Sequence, residues 1–89
     1  MSTKLLRQIK NSLSDLRKSE QKVGEFILND PKSVITMKTA EASAAMGISE
    51  PTLIRFCKAI GFTGFQDLKI NLSQQLAADD YFVMYEINE

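Results

Sequence analysis

The amino-acid sequence predicts an all-α fold, a compact bundle of about five helices, on two observations. Apolar residues recur at three- and four-residue spacing in several separate segments, and glycine, proline and capping residues stand between those segments as stop and start signals. At 89 residues the chain makes one small domain with a modest core, and a hydrophobic content of 44% is that of an ordinary globular protein. No apolar stretch reaches membrane-spanning length and the N-terminus lacks signal-peptide organisation, so the expected setting is cytoplasmic, without a membrane partner. A single cysteine, Cys57, agrees with a reducing compartment.

The elements follow in order. Leu5, Ile9, Leu13 and Leu16 share one helical stripe, with Lys4, Arg7 and Lys10 on the opposite side. A second helix is expected over residues 18–29, burying Val23, Phe26 and Ile27. Gly24 weakens it by about 1 kcal/mol relative to alanine, which close packing there would offset. Asp30-Pro31 ends that helix and starts a short turn, Asp30 as cap and Pro31 at the first helical position. From Thr36 to Lys58 the chain reads as a short helix, a three-residue turn and a second helix. Gly47 suits the left-handed position that closes the first, and Ser49 caps the next, with Glu50 favourable in its first turn and Pro51 tolerated there. Small Ser43 stands where the two helices must approach, and Ile48, Leu53 and Phe56 bury one face. This is the pattern of a DNA-binding helix-turn-helix. Gly61 closes its second helix, and Thr63-Gly64-Phe65-Gln66 predicts a capping box in which Gln66 reaches back. Phe65, Leu68, Leu72 and Leu76 then line a final helix. Tyr81-Phe82-Val83-Met84-Tyr85 predicts an extended C-terminal arm that packs on the body or on a partner, so that residues 1–78 form the helix-turn-helix domain and 79–89 an acidic and apolar arm or the start of a linker.

The zero net charge hides an asymmetry. All 11 Lys and Arg and seven of the 11 Asp and Glu lie in residues 1–78, a net +4, while Asp79, Asp80, Glu86 and Glu89 give the last eleven residues −4. A basic body of this kind can meet a phosphate backbone if the tail points elsewhere.

The succession Lys18-Ser19-Glu20-Gln21-Lys22-Val23, Ile27-Leu28, Asn29-Asp30-Pro31, Gly47-Ile48-Ser49-Glu50-Pro51-Thr52 and Arg55-Phe56-Cys57 resembles the N-terminal domain of RpiR-family bacterial transcription regulators. Gly61-Phe62-Thr63-Gly64-Phe65 and Asp67-Leu68-Lys69 extend the resemblance over residues 4–78. Ser49-Glu50-Pro51-Thr52 and the tyrosine-containing segment after the last helix resemble a branch that regulates central sugar metabolism. The resemblance implies a helical, usually dimeric DNA-binding domain that represses or activates carbohydrate-metabolism genes. It also implies a sugar isomerase (SIS) domain that senses phosphorylated sugars, so any sugar-phosphate effector is expected to act through a domain absent from this chain. Two departures stand out. Thr39 and Ala42 replace larger aliphatics, which predicts looser packing of the first helix of the motif. Lys38 replaces a capping serine, leaving Thr36 or Thr39 as the expected cap.

The candidate DNA contacts are Ser49, Glu50, Pro51, Thr52, Arg55, Lys58, Thr63, Gly64 and Lys69. Arg55 leads them, because its fork can pair with a phosphate or with guanine O6 and N7, phosphate being favoured; the competing reading is a solvated surface arginine or a salt bridge to Glu50 or Asp67. Lys58, one turn on, suits a phosphate. Ser49 and Thr52 could bond bases or phosphates or simply satisfy the helix start, roles that can coexist at Ser49; Glu50 could meet cytosine N4 or simply complement the helix dipole; and Pro51 and Ile54 could offer apolar surface to a thymine methyl or serve only the structure. Thr63 and Gly64 could hold a phosphate on their amides, with Lys69 nearby, or only start a helix. Cys57, Met37 and Met46 read as core. The chain contains no histidine, metal-ligand cluster or glycine-rich phosphate loop, so no enzyme, metal or cofactor is predicted. The rival to double-stranded DNA binding as a homodimer is a non-catalytic protein-interaction module using the same helices.

Overall fold

A computed structural model describes the backbone of residues 4–87 and the side chains of residues 4–77. Its elements are α1 (Lys4–Ser12), a 3-10 turn (Leu13–Asp15), α2 (Lys18–Asn29), α3 (Pro31–Val34), α4 (Thr39–Met46), α5 (Glu50–Ala59) and α6 (Phe65–Ile87). Among the described residues the bundle is all-α, with six α-helices where about five are expected. α2 lies at its centre against α1 and α5, α4 crosses α5, and α6 closes the far side against α1, α3 and α5.

One core joins these elements. Leu5 and Ile9 of α1, Val23 and Ile27 of α2, Val34 of α3, Ala42 and Met46 of α4, Leu53, Phe56 and Cys57 of α5, and Phe65, Leu68 and Leu72 of α6 are all buried together. The stripe on the first segment is interrupted. α1 ends at Ser12, and Leu13 and Leu16 are only half-buried because the 3-10 turn swings the chain toward α2.

Gly24 marks a close approach of α2 to its neighbours. A Cβ built there would stand 2.5 Å from Leu13 Cδ2, 3.2 Å from Ile9 Cγ2 and 3.4 Å from Phe56 Cε2. The helix propensity lost at this position therefore lets α2 sit directly on α1 and α5.

Local signals hold at some helix ends and shift at others. Gly47 is left-handed at φ 73°, and its amide donates to Ala44 O (3.1 Å) while that of Ile48 donates to Ser43 O (3.0 Å). The cap of α4 is Lys38 itself rather than Thr36 or Thr39. Lysine has no acceptor, so only the return half of a capping box forms, the Lys38 amide donating to Glu41 Oε1 at 3.0 Å. Ala42 is fully buried despite its small size. At α3, Asp30 makes no side-chain cap to the backbone; its carboxylate accepts the Ser33 hydroxyl at 2.6 Å instead.

The extended arm is not what the backbone shows. α6 runs without a break from Phe65 to Ile87, so residues 79–87 continue the helix. The reason is local: after Gly64 the sequence carries no glycine or proline to stop it. The expected packing of Tyr81, Phe82, Val83, Met84 and Tyr85 lies outside the described side chains.

Candidate nucleic-acid interface

α5 is anchored from the inside. Leu53, Phe56 and Cys57 are fully buried, and Ile60 follows at the helix end with 5% exposure. The same spacing turns Glu50, Pro51, Arg55 and Lys58 outward with the cap Ser49, and all five are exposed. These are hydroxyl, carboxylate and cationic groups on one solvent-facing surface. Ile54 is half-buried at its edge.

Thr52 departs from the expected outward position, being only 7% exposed. The Thr52 amide donates to Ser49 Oγ at 3.3 Å, which is the cap predicted for Ser49, and the two hydroxyls lie 2.9 Å apart. Thr52 Oγ1 in turn accepts from Arg55 Nη2 at 3.2 Å. Thr52 thus links the helix cap to the arginine and is poorly placed to reach DNA itself.

Arg55 is in an ion pair, with a different partner from the two expected. Its Nε lies 3.5 Å from Glu20 Oε2 on α2, and the side chains are 54% and 9% exposed respectively. Glu50 and Asp67 are not involved: Glu50 faces solvent, and Asp67 accepts the Thr63 amide at 3.0 Å and bonds Asn71. Glu20 is the residue that sequence reasoning missed. A signal was present, since Glu20 falls on the same helical stripe as buried Val23, Gly24 and Ile27. A carboxylate at such a position needs a cation or hydrogen-bond donors.

In the second cluster of candidates, two polar groups are bonded within the domain. Asp67, rather than Gln66, reaches back to the Thr63 amide, so that amide is bonded within the domain. Gly64 is half-buried, its carbonyl accepting the Leu68 amide at 3.1 Å. The Lys69 ammonium donates to Met37 O at 2.8 Å and stands 4.9 Å from the centre of the Phe65 ring. It borders an open groove of about 360 Å³ between the end of α3 and α6, with Ile35, Thr36, Gln66 and Ile70. Lys4, Arg7 and Lys10 are exposed on α1, which is tied to the end of α5 by Gln8 Nε2 donating to Ile60 O at 2.8 Å.

Burial pushes the Cys57 thiol from 9.0 up to about 12, so at neutral pH it is a protonated core side chain. Among the described residues no three His, Cys, Asp or Glu side chains gather where a metal ion could be held. Among the same residues no helix is long and apolar enough to cross a membrane.

Comparison with known proteins adds a family to this geometry. The model of the helix-turn-helix domain of the rpiR family matches residues 3–79. The chain is 41% identical over 85 residues to the HTH-type transcriptional regulator HexR of Pseudomonas aeruginosa, a match covering 96% of this chain and 30% of that protein. It is 39% identical to HexR of Escherichia coli, over 96% of this chain and 29% of that protein. The chain thus spans about a third or less of the length of these curated relatives. The crystal structure of the N-terminal domain of the transcriptional regulator YbbH of Bacillus subtilis superposes with a TM-score of 0.77 at 38% identity, covering 81% of this chain and 88% of that one. The NanR protein of Vibrio vulnificus, solved in complex with ManNAc-6P, gives a TM-score of 0.81 over 92% of this chain and 31% of its own, and at 23% identity it supports the fold alone.

Proposed function

We propose that this chain, which belongs to the rpiR family of helix-turn-helix domains, binds double-stranded DNA in the service of transcription regulation, with α5 as the recognition helix in the major groove. The observation that carries the reading is the outer face of α5. Arg55 stands at its centre with a half-exposed guanidinium, Lys58 lies one turn on, and Ser49, Glu50 and Pro51 are exposed at the helix start. Arg55 and Lys58 serve as phosphate contacts, which fix register, and the helix start with Ser49 faces the bases or a phosphate. Thr52 acts through Arg55. Thr63, Gly64 and Lys69 are secondary, since the Thr63 amide and the Lys69 ammonium are already bonded within the domain.

The regulated genes belong to sugar or sugar-phosphate metabolism on this reading, supported by the likeness to HexR. The domain works in the cytoplasm as one half of a two-fold pair, and a sugar-phosphate effector acts through an SIS domain outside these 89 residues. The relatives are named as regulators, which supports a non-catalytic role.

Fluorescence anisotropy against duplexes selected from a random pool tests this. Log affinity is expected to fall linearly with log salt, at about −0.9 per phosphate neutralised. Failure of every selected duplex to bind at low salt would refute the proposal.

A further inference from the structure

We infer that Glu20 of α2 is a positioning residue for the DNA contact of α5. Its carboxylate and the Thr52 hydroxyl together engage the Nε/Nη2 edge of Arg55, so that the guanidinium meets DNA end-on, through Nη1 and the remaining hydrogen of Nη2. The inference rests on the reading of α5 as the recognition helix.

The geometry is specific. Nε and Nη2 share one edge of the guanidinium plane; Nε lies 3.5 Å from Glu20 Oε2, and Nη2 donates to Thr52 Oγ1 at 3.2 Å. Both partners are buried. Glu20 is 7% exposed and Thr52 is 7% exposed and bonded to the Ser49 cap. The edge left over still presents paired N–H groups that match a phosphate or the O6 and N7 of guanine.

The placement of Glu20 follows from the core. One turn on, Gly24 lets α2 approach until even a Cβ would stand 3.4 Å from Phe56 of α5. A glutamate side chain can then span from α2 to the outer face of α5 beside it. Glu20 is also the wrong sign to attract DNA. A carboxylate next to the leading cation lowers the field that draws in phosphates, so its value to binding lies in orientation. Holding a long arginine in one geometry before binding removes an ordering cost that would otherwise fall on the complex.

The test uses duplex affinity of the parent chain, Glu20→Gln, Arg55→Ala and the double variant, each measured well below its own melting temperature. Glu20→Gln is expected to weaken binding by about two- to tenfold in the parent, the range set by freezing one long side chain. In the Arg55→Ala background the same change should not weaken binding, and should strengthen it slightly because a negative charge is lost. Unchanged affinity of Glu20→Gln in the parent would overturn the inference, as would an equal loss in both backgrounds, which marks a purely structural role. A readout without DNA stands beside it: the order parameter of the Arg55 Nε–Hε group by NMR should drop in Glu20→Ala, and an unchanged value would also overturn the inference. If parent and Arg55→Ala bind alike, the recognition-helix reading itself fails. If Arg55→Ala is weak while Glu20→Gln binds like the parent, only the positioning role fails.

Discussion

At the start of α5 and again at the start of α6 the chain repeats one local arrangement. A left-handed glycine closes the preceding helix (Gly47 at φ 73°, Gly61 at φ 102°), a half-buried apolar residue follows (Ile48, Phe62), and a hydroxyl residue precedes the new helix (Ser49, Thr63). The two diverge at the next step. At α5 the Ser49 hydroxyl caps forward onto the Thr52 amide, and the chain of polar contacts runs on through Thr52 to Arg55 and Glu20, ending in a guanidinium open to solvent. At α6 Asp67 reaches back to the Thr63 amide and the nearby cation, Lys69, turns to Met37 O and the Phe65 ring. Local sequence determines that both helices start cleanly. Whether a cation is then offered to a ligand depends on what a distant element places beside it: Glu20 under α5, the end of α3 beside α6.

The largest expected effect removes the platform under the first arrangement. Leu53 is fully buried, so Leu53→Ala should lose about 2–5 kcal/mol of stability in chemical denaturation, taking DNA binding with it wherever the domain unfolds. A loss below about 1 kcal/mol would mean that α5 is not held as described.

Cys57 ties the two arrangements together, since the Phe62 amide donates to its carbonyl at 2.8 Å in the turn that leaves α5. Its thiol is pushed from 9.0 up to about 12 by burial. The unfolded chain therefore releases this proton near pH 9 while the folded chain keeps it, so stability is full below pH 9 and falls as pH rises toward 12. Between pH 8 and pH 10.5 the parent should lose about 2 kcal/mol more than Cys57→Ala, read by urea denaturation at both pH values. Parallel losses would contradict the burial of the thiol.

The caps sharpen the contrast at smaller scale. Ser49→Ala should cost about 1 kcal/mol, because its hydroxyl holds the Thr52 amide, whereas Thr63→Ala should change stability by no more than about 0.5 kcal/mol, because the bond at that end is made by its backbone. Equal losses in thermal unfolding would erase the difference drawn here.

Much of this was legible in the sequence. The all-α class, the boundaries of α2, the left-handed Gly47, the Ser49 cap and the close packing at Gly24 all follow from spacing and residue chemistry, since each is decided within a turn or two of chain. The errors have two sources. The sequence reading has Gln66 where Asp67 makes the returning bond, and an extended arm where α6 continues, because local rules leave a neighbouring residue or a helix end open. The inward turn of Thr52 and the pairing of Arg55 with Glu20 were illegible for another reason. They depend on how α2 lies against α5, a tertiary fact that leaves in the sequence only a carboxylate on an apolar stripe.

Arg55→Ala is the variant on which the account turns. The pairing with Glu20 predicts for it a stability loss of about 1 kcal/mol, limited by the exposure of the arginine. The most direct measurement is the affinity of parent and Arg55→Ala for a selected duplex across a series of salt concentrations, below both melting temperatures. The account predicts a loss of about 1–3 kcal/mol in binding, with the salt slope flattened by about 1 if the contact is to phosphate. Binding indistinguishable from the parent at every salt concentration would contradict it.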